Sequence, residues 1–145
     1  MTEEQQALLQ KLYTEQQLAD SNLSVLQQQL EFTQVLLNRY QTGLQVLQEL
    51  EGKEEGEEML MNVSGGILLR ATLSDPKNVT RVLGGGVRLE TSLEEAKKAV
   101  EQSVENLEKQ YQALAQEYQK MIDHSALVNA QFRQLAEQMQ ASGEK

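Results

Sequence analysis

Three consecutive glycines, Gly84–Gly86 in the stretch LGGGVRLETSLEEA, are the residues of this chain that most resemble a ligand-binding motif. A glycine-rich loop binds phosphate when it lies between a strand and a helix, usually with a lysine followed by serine or threonine. Here the strand-like run Val87–Glu90 follows directly, and the flanks are not basic. The stretch therefore predicts a tight turn between two strands, in which glycine supplies positive φ angles.

The other side chains able to do chemistry form no catalytic constellation. His124 is the only histidine in a chain without cysteine, so neither a Cys–His pair nor a thiolate metal site is supported. Glu54, Glu55, Glu57 and Glu58 form one acidic run, which is typical of a solvated loop. We therefore expect no enzyme, no cofactor and no metal.

Composition favours long helices over an ordinary globular core. The 145 residues include no tryptophan, one proline and only 4% aromatic residues, while glutamine is abundant towards both ends. The net charge of −9, with 13 scattered lysines and arginines, argues against a nucleic-acid partner. The start, MTEEQQALLQ, is acidic where a signal peptide would be basic, and no apolar run reaches the roughly 18 residues of a membrane span. We expect a cytoplasmic protein.

Two segments of the sequence carry the heptad pattern of a coiled coil. In residues 2–51, ten of the twelve a and d positions from Leu9 to Leu47 are apolar. In residues 92–141, eleven of the twelve from Val100 to Met139 are apolar. Each segment opens on a possible capping box, Thr2-Glu3-Glu4-Gln5 and Ser92-Leu93-Glu94-Glu95. The matched lengths predict two antiparallel helices whose chain ends meet.

Residues 52–91, between the helices, predict two β-hairpins. Apolar runs at 59–63 and 67–73 flank Ser64-Gly65-Gly66, and similar runs at 79–83 and 87–91 flank the three glycines. Four strands with open edges and no helix of their own are marginal in isolation, so we expect oligomerisation through them. The residues predicted to contribute are Met59, Met61, Val63, Ile67, Leu69, Ala71, Val79, Val82, Val87 and Leu89.

The predicted fold is mainly α with a small β part, as a single domain over 1–145: helix, two hairpins, helix. Near the chain ends, seven apolar residues form a predicted tip for binding other proteins: Leu8, Leu9, Leu12, Tyr13, Phe132, Leu135 and Met139. Below it, Ala19 opposite Ser125 and Gln16 opposite Val128 predict a poorly packed layer that would let the tip fray. The alternative is that the tip leucines simply close the coiled coil.

Apolar residues also recur outside the seam, at c positions that normally face solvent: Leu18, Val25, Phe32 and Val46. Such a stripe either packs on another subunit or stays open to bind a partner. Periodicity does not separate these alternatives for the first three residues. Val46, together with Leu36 and Leu50, is expected to meet the strands or a neighbouring chain.

Together, these patterns resemble the prefoldin family, and the alpha-type subunit in particular. The specific residues are VTRVLGGGVRLETSLEEA and MLMNVSGGILLRATLSD, although Asn62 stands near the point where the family commonly has a proline. Two hairpins, where beta-type subunits have one, favour the alpha type.

The resemblance implies an ATP-independent chaperone without a cofactor, assembled from two alpha-type and four beta-type subunits. Their hairpins would form a double β-barrel platform, and the helix pairs would hold non-native client proteins at their tips for transfer to a group II chaperonin. The alternative is a coiled-coil scaffold or tether that oligomerises through its hairpins and binds no clients.

Overall fold

The computed structural model describes residues 2–143, and it confirms the predicted fold class of two long helices with two small hairpins between them. In chain order the elements are α1 (Glu3–Glu51), β1 (Glu58–Asn62), β2 (Leu68–Thr72), β3 (Asn78–Gly84), β4 (Val87–Ser92) and α2 (Leu93–Gly143). They form two compact units. One comprises the described parts of Met1–Gln34 and Lys109–Lys145, and the other is Val35–Glu108.

In the first unit, α1 and α2 pack side by side along the predicted heptad seam. Leu12, near the start of α1, shares a cluster with Val128 and Leu135, near the end of α2, so the two helices run antiparallel. The most buried residues in this unit all occupy predicted a or d positions: Leu12, Ala19, Thr33, Ser125, Val128 and Leu135. An apolar stripe on each helix is thereby removed from water, which stabilises helices that could not bury it alone.

Side chains cap both helices at the predicted positions. Thr2 and Gln5 form a reciprocal capping box, in which each backbone N–H donates to the other side chain at 3.1 Å. At α2, the Glu95 N–H donates to Ser92 Oγ, but the Glu95 carboxylate accepts from the Thr91 hydroxyl instead of from the backbone of Ser92. Ser92 is both the last residue of β4 and the cap of α2, so the strand continues into the helix without a loop.

The two hairpins form separate two-stranded antiparallel sheets, and their turns differ. In the first, the ladder runs from Glu58↔Thr72 to Asn62↔Leu68, and a five-residue connection follows. The predicted turn residues, Ser64–Gly66, all have positive φ angles, and the ladder ends one residue short of the predicted strand limits at 63 and 67. In the second, Gly84 pairs with Val87 across a two-residue turn, after a bulge between Val82 and Gly84.

Side-chain bonds hold the ends of the insert in the second unit. The Lys97 amine donates to both carboxylate oxygens of Glu51 at 2.9 Å, joining the last turn of α1 to the first turns of α2. This hydrogen bond raises the pKa of Lys97 above its ordinary value. In the loop between the hairpins, the Asp75 carboxylate accepts from the Lys77 N–H and from the Asn78 side chain. The Asn78 bond is the main cause that lowers the pKa of Asp75.

Candidate interaction surfaces

The predicted tip residues are brought together at the end of the helix pair in the first unit. Leu12, Val128 and Leu135 form a buried core, and the partly buried Leu9, Phe132 and Met139 pack against it. Two further members lie outside the core, Leu8 with 46% and Tyr13 with 49% of its surface exposed. The tip is therefore closed, with an exposed apolar margin around a small core.

Small residues pack closely in the layer below the tip core. Ala19 and Val128 are each only 2% exposed, and Ser125 is also buried, so the expectation of a loosely packed layer was wrong. The Gln16 amide donates to Asn129 Oδ1 across the seam at 2.6 Å. Among the described residues, no buried side-chain nitrogen or oxygen lacks a hydrogen-bond partner.

The first hairpin is apolar on both faces. Directly paired residues project on the same side of a sheet, so the pairs Met59↔Ala71 and Met61↔Leu69 share one face. Val63 and Ile67 follow where the chain leaves the ladder, and all of these residues except Met59 and Ala71 are exposed. Leu60 and Leu68, which are not among the predicted residues, are exposed on the opposite face. The unbroken apolar runs MLM and ILL were the available signal, because such runs are typical of strands covered on both faces.

Met59 differs from the other predicted oligomerisation residues because its side chain is already covered within the chain. It lines a groove between β1 and α1, together with Leu60 from the strand and Thr42 and Val46 from the helix. Val46 thus lies beside the strands, where it was expected. The first hairpin therefore lies beside α1 across this groove, with most of its apolar surface exposed.

Most apolar side chains of the second hairpin lie on one face, which also carries Arg81 opposite Leu89. Val79, Val87 and Leu89 share a face, whereas Val82 pairs with Arg88 on the other side and is exposed there. The structure therefore does not bring Val82 together with the other predicted residues. An exposed apolar face on a two-stranded sheet with unpaired edges is incomplete as a folded unit, and it requires a covering partner.

The three glycines and His124 lie in different elements, the β3–β4 turn and α2. The three glycines form the turn between β3 and β4, with φ of 59° at Gly85 and 80° at Gly86, as a two-residue hairpin turn requires. A strand follows them, so the helix N-terminus that would bind phosphate is absent from this position. His124 is exposed on α2. Within the described residues, no cluster of histidine and carboxylate side chains has the arrangement of a metal site.

The c-position stripe on α1 is exposed in the first unit. Leu18, Val25 and Phe32 are 61%, 50% and 66% exposed, although they are seven residues apart on one side of a helix whose seam is buried.

No helix within residues 2–143 combines the length and the apolar character needed to cross a membrane.

A family model described as prefoldin subunit matches residues 19–138. The chain is 26% identical over 110 residues to prefoldin subunit alpha of Thermofilum pendens, which covers 76% of this chain and 80% of that protein. It is 23% identical over 116 residues to prefoldin subunit alpha of Archaeoglobus fulgidus, which covers 80% and 85%.

Two solved structures share the fold. A chain of filamentous PFD from Methanocaldococcus jannaschii superposes with a TM-score of 0.60 at 17% identity, covering 79% of this chain and 95% of that one. The prefoldin beta subunit from Thermococcus strain KS-1 gives a TM-score of 0.58 at 16% identity, covering 88% and 90%.

Proposed function

Since the chain belongs to the prefoldin family of chaperones and is of the alpha type, we propose that it captures non-native proteins at the tip of its helix pair and transfers them, without a nucleotide, to a group II chaperonin. The observation that supports capture at the tip is the exposure of Leu8 and Tyr13 beside the core of Leu12 and Leu135. Exposed apolar surface of this kind binds the apolar segments that a non-native protein fails to bury.

The seven tip residues have different tasks in this proposal. Leu8 and Tyr13 contact a client directly, because their side chains are open to solvent. Leu9, Phe132 and Met139 contribute their exposed portions. Leu12 and Leu135 reach a client only when the two helices separate locally, since both are buried in the closed tip.

The hairpins supply the assembly that makes weak contacts sufficient. We infer that the apolar faces carrying Leu69 and Val87 are covered by beta-type subunits, with two alpha-type and four beta-type chains forming a double β-barrel platform. Several tips then act on one client, and each contact raises the effective concentration of the next. Low affinity at each tip also permits release to the chaperonin.

The test of capture compares two double variants of the assembled protein. We expect Leu8→Gln with Tyr13→Gln to lose most of the suppression of aggregation of a chemically denatured client, with unchanged native mass. The matched control is Ile122→Gln with Leu127→Gln, which removes two exposed apolar residues of α2 outside the tip. Removal of residues 1–13 and 131–145 should abolish suppression altogether. Full suppression by the tip variants would refute capture at the tip and favour the scaffold or tether alternative.

The test of assembly uses charge on the two hairpin faces. We expect Leu69→Asp and Val87→Asp to release monomers or small oligomers, because each charge would be buried without a partner. Thr80→Lys is the charged control, since Thr80 is exposed on the opposite face of the second hairpin and pairs with Glu90, which a lysine does not repel. Native mass spectrometry of the mixed subunits measures the outcome, and an unchanged mass for the first two variants would contradict the assigned interface.

A further inference from the structure

Arg81 is a charged residue in the middle of the apolar face of the second hairpin. It pairs with Leu89, and Val79 and Val87 project on the same side of the sheet. Paired residues have side chains in direct contact range, so the stem of Arg81 lies among apolar groups. Arg81 is exposed, and it has no ion pair or hydrogen bond with any other residue that the structure describes. Within residues 2–143, no carboxylate therefore pairs with this guanidinium.

The other arginine of this hairpin has a different environment. Arg88 lies on the opposite face, where it pairs with Val82. Glu90 is two residues further along the same strand and projects on the same side as Arg88. The nearby carboxylate partly compensates the charge of Arg88 in solvent. The two arginines thus share one chemistry and one strand pair, but only Arg81 stands on the face that a subunit is proposed to cover.

Covering the apolar face would remove the Arg81 guanidinium from water. A buried charge without a partner is strongly unfavourable. A guanidinium that meets a carboxylate instead forms two parallel N–H···O bonds in a fixed geometry, which suits a buried contact between subunits. The subunit that covers this face must therefore present an aspartate or glutamate to Arg81, within a surface that is otherwise apolar.

A second copy of this chain does not offer that carboxylate on its apolar hairpin faces. Among the residues paired in the two ladders, Arg81 is the only charged one on the apolar face of the second hairpin. The face of the first hairpin that carries Met59 and Leu69 has none. Two copies joined through their second hairpins would bring two guanidinium groups into one apolar contact, where like charges repel strongly. This face therefore disfavours a second copy as its partner.

We propose that Arg81 selects the subunit that covers the second hairpin, because it requires a carboxylate that the apolar hairpin faces of a second copy lack. The proposal rests on the proposed assembly through the hairpins, and it adds the charge that the partner must carry. It also explains how a chain with exposed apolar strands avoids pairing with itself. The apolar residues supply the contact area, and Arg81 restricts which chain completes it.

The first experiment compares two arginine variants of the full-length chain, each mixed with the beta-type subunit of the same organism. Arg81→Gln removes the charge from the apolar face, and Arg88→Gln removes the same charge from the opposite face. We expect Arg81→Gln to raise the Kd of assembly about tenfold or more, because the partner carboxylate is left buried without its pair. We expect Arg88→Gln to change it less than about twofold.

Analytical ultracentrifugation measures the Kd, and circular dichroism verifies that both variants are folded. Equal effects of the two variants would overturn the proposal, because the Arg81 guanidinium would then reach water past the open edge of β3. Failure of the wild type to assemble would refute the proposed assembly and this proposal with it. Normal assembly of the wild type, with equal effects of the two variants, would overturn only the role of Arg81.

The second experiment identifies the carboxylate directly. Carbodiimide joins a lysine amine to a carboxylate that it contacts, so Arg81→Lys provides a reactive group at the same place on the face. In the assembled variant, we expect residue 81 to be cross-linked to an aspartate or glutamate of the beta-type subunit, located by mass spectrometry of the peptides. The absence of any cross-link from residue 81 to that subunit would overturn the proposal.

The third experiment uses the chain without its partner. We expect Arg81→Leu to self-associate at a concentration about tenfold or more below that of the wild type, since the repelling charge is replaced by an apolar group. Adding Val87→Asp should reverse this association if it uses the same face. Equal self-association of the wild type and Arg81→Leu would overturn the selection against a second copy.

Discussion

Two valines in the first unit provide a direct test of the packing described above. Val128 is 2% exposed and is the largest side chain that is fully buried, whereas Val25 is half exposed on the flank of α1. Truncation to alanine removes two methyl groups, worth about 1.6 kcal/mol when fully buried, and at Val128 it also leaves a partial cavity. Because alanine has a higher helix propensity than valine, the substitution also stabilises the helix by roughly 0.5 kcal/mol at either position. We expect Val128→Ala to lower the free energy of unfolding by about 2 kcal/mol and Val25→Ala to leave it nearly unchanged.

The measurement is urea unfolding followed by far-UV circular dichroism, with both variants at the same protein concentration because assembly contributes to apparent stability. The comparison removes the contribution of helix propensity, since the same substitution is made in a helix both times. Similar destabilisation by the two variants would refute the argument, because it would place Val25 in a packed environment. No destabilisation by Val128→Ala would show that the seam is open at this layer.

Two further predictions concern the backbone and the pH. Gly43→Ala and Gly86→Ala each add a Cβ with no atom within 4 Å, so their effects on stability differ only through the backbone conformation at each site. In urea unfolding, the first should stabilise by about 0.5–1 kcal/mol in a helix interior, and the second should destabilise by about 1 kcal/mol at a φ of 80°; effects of equal sign would contradict this. Because the pKa of Asp75 is lowered in the folded state, its contribution to stability should be present above about pH 4 and be lost as the pH falls through the lowered pKa. NMR titration should show that Asn78→Ala raises the pKa of Asp75 towards its ordinary value, and an unchanged pKa would exclude the Asn78 bond as the cause.

The helices were predictable because their signal is redundant. Heptad spacing, capping residues and the scarcity of glycine and proline all favour the same two segments, and the buried positions of the seam agree with the heptad assignment. The junction at Ser92 was also predictable, since one residue both ends the apolar run of β4 and caps α2. Independent local preferences that agree are the usual sign that a sequence specifies its structure.

Sequence periodicity did not predict which apolar residues another element covers, or how long each turn is. It placed Leu18 and Val46 on the same side of α1, but β1 lies beside Val46, whereas Leu18 is exposed. It treated the two glycine-rich turns as equivalent, although one connects its strands through five residues and the other through two. Turn type is set by backbone φ angles, and different sequences can adopt the same angles. Ser64 is an example, because it has a positive φ, which is uncommon for residues other than glycine.

The closed tip indicates an order of events in the proposed capture of a client. Exposing Leu12 and Leu135 by separating the helices costs about 3–6 kcal/mol in lost burial alone, so the open tip is about one part in a hundred or less of the population. The Gln16–Asn129 hydrogen bond and the close packing of Ala19 limit this separation to the turns beyond them. A client would therefore first contact the margin that is already exposed. The core would then open only if the client covers the apolar tip surface that opening exposes. This requirement favours clients with extensive unburied apolar surface over folded proteins with isolated apolar residues.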